Sequence, residues 1–144
     1  MADKNIYNVK KAVYNKLIND NTLLGLLGGN NIFHKHPPKK AVFPSIIYDI
    51  ASDMDNPYNE NDETGKLTET EIRISVFSDS KKSSISDNIE ARIKTLLNGQ
   101  RTLDDSNIIC YSCYRSMMIS QMFDEEQQIW ITHTRYRLVW GPKS

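Results

Sequence analysis

Apolar residues near the start of the chain recur at intervals of three and four. Ile6, Val9, Val13 and Leu17 therefore fall on one face of a helix predicted over 5–19. Asp20 or Asn21 caps a short second helical turn carrying Leu23, Leu24, Leu26 and Leu27. Gly28-Gly29 stops it, because glycine tolerates the left-handed conformation that ends helices. Ile32-Phe33 begins a short strand, and His34-Lys-His-Pro-Pro-Lys-Lys40 is a basic loop held extended by its prolines. Residues 44–50 read as a strand. Residues 53–65 lack periodicity and contain Pro57 and Gly65, which makes them a flexible acidic loop, unusually long for a compact domain.

In the strand predicted over 67–78, Ile72, Ile74 and Val76 alternate with Glu71, Arg73 and Ser75, so one face is buried and the other wet. A helix over 81–98 carries the stripe Ile85, Ile89, Ile93, Leu96 and Leu97, with Ser80 to cap its start and Gly99 its end. Two long strands, 107–123 and 128–140, close the chain as a hairpin. Pairing Phe123 with Gln128, and hence Tyr111 with Trp140, puts Phe123, Ile119, Met117, Cys113, Tyr111, Trp130, Tyr136, Leu138 and Trp140 on a core face. Ser112, Ser116, Ser120, His133, Arg135 and Arg137 take the other face, which gains Met118, Met122, Ile129 and Ile131 near the turn. The predicted fold is a single α+β domain over 1–144, in the order α-β-β-β-α-β-β. Its sheet is mostly antiparallel with two helices on one face, and the long C-terminal hairpin projects from it. An apolar projecting tip calls for a partner, and Met118, Met122, Ile129 and Ile131 are the expected subunit interface.

The 144 residues suffice for a core without disulfides or metals. Eighteen basic residues balance eighteen acidic ones, which argues against a nucleic-acid binder and leaves little charge repulsion to oppose self-association. No stretch approaches the roughly 18 apolar residues that span a bilayer. The N-terminus has no apolar signal core, so a cytoplasm is the expected compartment.

Candidate chemistry is thin. Cys110-x-x-Cys113 with His34-x-His36 has the residue types of a zinc site. The cysteines sit inside a strand, however, where an odd offset sends Cys113 to the core and Cys110 to the opposite face. His133 has no nucleophile and acid fixed beside it by the sequence, and a solvated surface histidine is the simpler reading. The acids at 53–63 lack calcium-loop spacing, and Gly28-Gly29 is not followed by Lys-Ser/Thr as in a phosphate loop. The expectation is therefore no enzyme, no metal and no cofactor. Lys35, Lys39 and Lys40 are candidate charged contacts with passing DNA, or with Asp53, Asp55, Asp62 and Glu63 of a neighbouring subunit.

The order of elements, with Pro44-Ser-Ile-Ile-Tyr48, a polar loop ending in Gly65, Ser-Val-Phe-Ser78 and Arg-Tyr-Arg-Leu-Val-Trp140, resembles the tail-completion (tail terminator, tail-to-head joining) proteins of phages and prophages over roughly residues 6–140. The resemblance implies a non-enzymatic subunit of a ring, usually hexameric, at the head-proximal end of the tail. Such a ring stops tube growth and meets the tail tube protein and the head-tail connector. DNA passes through it, and the protein moves from the host cytoplasm into the virion tail. The alternatives are another neck or connector protein, a nucleic-acid-binding domain using Ser112, Arg135 and Arg137, and a small hydrolase centred on His133.

Overall fold

The computed structural model describes residues 5–36, 40, 42–55, 67–79, 82–116 and 120–143. Helix α1 (Ile6–Ile18) starts where the Asn5 side chain accepts a hydrogen bond from the Tyr7 amide, and it buries Val9, Ala12, Val13 and Leu17. Helix α2 (Asn21–Leu27) is capped by Asp20, whose Oδ2 accepts from the Leu23 amide at 2.9 Å. It ends at Gly28, where φ is 73°, a left-handed value that costs a side-chain-bearing residue about 1 kcal/mol. Helix α3 (Ser84–Leu97) begins later than predicted, after Ser83, and Ser80 lies outside the described residues. Its buried face is Ser86, Ile89, Glu90, Ile93 and Leu97, while Ile85 at the head of the predicted stripe is exposed. Gly99 follows the helix and forms an isolated bridge with Cys113. Asp20 also accepts two hydrogen bonds from the Arg92 guanidinium, at 2.8 and 2.6 Å, which ties the start of α2 to α3.

Among the described residues six strands form one sheet: β1 (Ile32–His34), β2 (Ser45–Asp55), β3 (Thr68–Ser78), β4 (Ile108–Arg115), β5 (Ser120–Asp124) and β6 (Ile129–Pro142). The order is β1-β2-β3-β6-β4, and β5 joins β6 on the same side as β4. Among the described residues only the β1–β2 pair is parallel. Cross-strand rows such as Ile46–Val76–Thr132, Tyr48–Ile74–Thr134 and Ile50–Ile72–Tyr136 put one face of the sheet under the three helices. Trp140, Tyr136, Leu17, Leu27 and Ile93 are among the buried side chains of that single core. The α+β class and the mostly antiparallel sheet are as the sequence indicates.

Three features differ from the sequence reading. First, β2 runs to Asp55, so Asp53 and Asp55 are strand residues opposite Thr70 and Thr68; residues 56–66 lie outside the described residues. Polar β2 residues stay extended because β3 offers a full ladder beside them. Second, the closing hairpin does not stand free. β6 pairs with β3 from Thr68↔Trp140 to Ser78↔Trp130, so the last strand lies inside the sheet and only the turn extends past its neighbour. Third, the hairpin register is not uniform. Cys113 pairs with Leu138 as expected, but Phe123 pairs with Trp130 rather than Gln128. The pairing passes from Arg115↔Tyr136 to Ser120↔His133, a change of register, and Met117, Met118 and Ile119 between them lie outside the described residues. A bulge at Tyr111 shifts the other end, leaving Tyr111 exposed and Cys110 opposite Trp140.

Candidate interaction surfaces

The outer face of the sheet carries no helix among the described residues, and its side chains fall into cross-strand rows. Phe77, Ile131 and Met122 form one row near the turn, with Ile47, Ser75, His133 and Ser120 in the next one away from it. Met122 is 52% exposed, while Phe77 and Ile131 are half-buried. Of the four residues assigned to an interface from sequence, Met122 and Ile131 are register partners on this face. Ile129 is buried, and Met118 lies outside the described residues. The face turns polar further along β6. There Arg135 lies 3.4 Å from Glu71, and Arg137 lies 3.6 Å from Glu69. The arginine patch expected from β6 is thus neutralised by β3, so it offers nucleic acid no net positive stripe.

His133 has a partner that its local sequence does not reveal. Its Nδ1 and the Ser75 Oγ are 2.8 Å apart, because Ser75 is its register partner on β3. Partial burial lowers the imidazole pKa, and Arg73 lowers it further. A general base must become an imidazolium, and Arg73 opposes that charge. The pair is a cross-strand hydrogen bond holding two strands in register.

Cys110 and Cys113 share the core face, since the bulge at Tyr111 adds the residue that cancels their odd offset; the predicted separation onto opposite faces does not occur. Burial pushes the Cys113 thiol far up, and Cys110 reinforces it. His34 on β1 sits four strand positions from β4. At roughly 4.8 Å per strand that is about 19 Å, too far for the two pairs to share a metal.

A second surface is built by α1 and the β1–β2 edge. Tyr7, Lys10, Lys11 and Tyr14 lie on one helical face at i, i+3, i+4 and i+7. With Asn15, His34 and Tyr48 they line an open cleft of about 520 Å³. The Lys11 ammonium sits 4.9 Å from the centre of the Tyr7 ring. Tyr48 stacks obliquely on His34 at 5.2 Å and on Tyr14 at 6.3 Å. Burial pushes the Tyr48 hydroxyl up to about 12, so it remains a donor at neutral pH. Burial lowers the His34 pKa, and Lys10 acts in the same direction while Asp49 opposes it. The Lys35 amide donates to the Tyr48 carbonyl at 2.9 Å, which fixes the start of the basic loop against this cleft. Lys40 is exposed; Lys39, Asp62 and Glu63 lie outside the described residues. Asp53 accepts a hydrogen bond from Thr70. The cleft draws on three elements that only the parallel β1–β2 pairing brings together. The signal for it in the sequence is the Tyr-x-x-Lys-Lys-x-x-Tyr spacing flanking the apolar stripe of α1.

The family described as tail completion protein gp17 matches residues 11–112 of the chain, well over half of it. No curated protein matches the chain by sequence. A chain of the structure titled "Virion of native gene transfer agent (GTA) particle" is similar in fold. The TM-score is 0.71 at 18% identity, over 92% of this chain and 94% of that one.

Proposed function

Because the chain belongs to the tail completion protein gp17 family, we propose that it forms a ring at the head-proximal end of the tail tube, ends tube growth there and joins the tail to the head. At the coarser level it is a structural protein of the phage tail. The observation that carries the finer reading is the uncovered row Phe77–Ile131–Met122. Monomers seldom leave contiguous apolar surface open, and this row lies on the sheet face that no helix covers among the described residues. Homo-oligomers close by cyclic symmetry when each copy presents two different contact surfaces, and a ring around passing DNA is such a closure. The partners of this ring are further copies of the chain, six in number on the family resemblance, the tail tube protein and the head-tail connector.

Light scattering with negative-stain imaging tests the reading. The wild-type chain, alone or mixed with tail tubes, should give a closed oligomer near six subunits with a central hole. Met122→Glu should remain monomeric under the same conditions with an unchanged melting curve. A wild-type chain that stays monomeric even with tubes, or a Met122→Glu variant that assembles normally, would overturn it.

A further inference from the structure

We infer that the cleft of Tyr7, Lys10, Lys11, Tyr14, His34 and Tyr48 receives the acidic segment 56–63 of a second copy of this chain. The inference rests on the ring reading and names the contact that would join one subunit to the next.

Charge along the chain is strongly segregated, although the total is zero. The first forty residues hold seven lysines and two acids, whereas residues 41–65 hold six acids and neither lysine nor arginine. The two acids of the basic part do not quench the cleft. Asp20 is bound to Arg92, and Asp3 lies outside the described residues. Among the described residues no carboxylate lies within ion-pair distance of Lys10 or Lys11. The cleft therefore offers two ammonium groups, tyrosine hydroxyl donors and ring faces to an extended anionic peptide. The segment 56–63 supplies Glu60, Asp62 and Glu63 around Tyr58.

Geometry favours a second copy over the same one. β2 carries the chain from Tyr48 in the cleft to Asp55, seven residues on, a distance of roughly 23 Å. Residues 56–66 must return to Leu67, just before β3. Fully stretched, they reach outward by half their length, about 20 Å. A chain's own acids thus approach its own cleft only at the limit of extension, whereas a neighbour's acids carry no such restriction. Cleft and segment are different surfaces of one subunit, so their contact is head-to-tail, the type that generates rings. It is also polar, so it sets register and encounter rate and weakens with salt.

The test is a charge swap, with association followed by light scattering at low salt and the fold checked by circular dichroism. Lys10→Glu with Lys11→Glu should raise the concentration needed for assembly by about tenfold or more, as should Glu60→Lys with Asp62→Lys and Glu63→Lys. Both sets in one chain should restore assembly. If the cleft variant assembles as wild type while Met122→Glu still prevents assembly, the cleft inference fails and the ring reading stands. Failure of the folded double swap to recover also overturns it. So does a single-stranded oligonucleotide that binds wild type but not the cleft variant, when that variant's assembly is unchanged; nucleic acid would then be the occupant.

Discussion

Thr70 lies at the middle of a short buried relay. The Trp140 indole N–H donates to the Thr70 hydroxyl at 2.8 Å, and that hydroxyl donates to an Asp53 carboxylate oxygen. Thr70→Val keeps the shape of the side chain and removes both bonds. Trp140 is 1% exposed, so its N–H is left without water, at about 1–3 kcal/mol. Asp53 is exposed and rehydrates, so its share is closer to ~0.5–1 kcal/mol. The extra methyl returns up to ~0.8 kcal/mol. The net loss is about 2 kcal/mol, or a fall in Tm of roughly 6 °C for a domain of this size. Urea and thermal unfolding by circular dichroism measure it. Thr70→Ser keeps both bonds and should lose only about 1 kcal/mol from the missing methyl. Asp53→Ala should lose under about 1 kcal/mol, because it removes the solvated end of the relay. A Thr70→Val protein within ~0.5 kcal/mol of wild type, or an Asp53→Ala protein as unstable as Thr70→Val, would refute this reasoning.

Two further outcomes follow from the ionisable groups. The hydrogen bond from Arg92 holds the Asp20 carboxyl below its ordinary value of 3.8, so its stabilising effect is complete above that value and is lost as pH falls through the lower folded value. Asp20→Asn keeps the helix cap and should cost about 1 kcal/mol at neutral pH while flattening the acid limb of the stability curve; an unchanged limb would contradict the pairing. Cys110 and Cys113 are buried, and burial holds the Cys113 thiol protonated, so a disulfide-exchange reagent should label neither residue until denaturant is added. Fast labelling of the native protein would argue against this packing.

The elements with strong local signals were legible in the sequence. Alternation marks Ile72, Ile74 and Val76 because one face of β3 is covered by helices. Asp20 reads as a cap because its side chain competes for a free backbone amide. What was not legible depends on partners distant in sequence. The bulge at Tyr111 reverses the parity of Cys110, and a single extra residue leaves no local trace in composition. The extension of β2 through Asp53 is imposed by β3. The hairpin looked free because nothing in residues 107–140 shows that β3 occupies the far side of β6. The outer-face residues Met122 and Ile131 were found from alternation, whereas Phe77 joined them only through the β3–β6 register. The cleft has little local signal, because the apolar stripe dominates the periodicity of α1 and His34 and Tyr48 reach its Tyr/Lys face only through the β1–β2 pairing.

The place of β6 has a consequence for how the protein is made. Phe77 leaves the ribosome more than fifty residues ahead of Ile131, yet the two become neighbours only when the fourteen residues of β6 slide between β3 and the β4–β5 side. Until then β3 has an open edge and the Phe77–Ile131–Met122 row does not exist. A chain broken off before residue 129 lacks the strand that joins β3 to β4 and β5, and so has no finished outer face. The outer face is thus a product of the whole chain, because the strand order places the last strand inside the sheet.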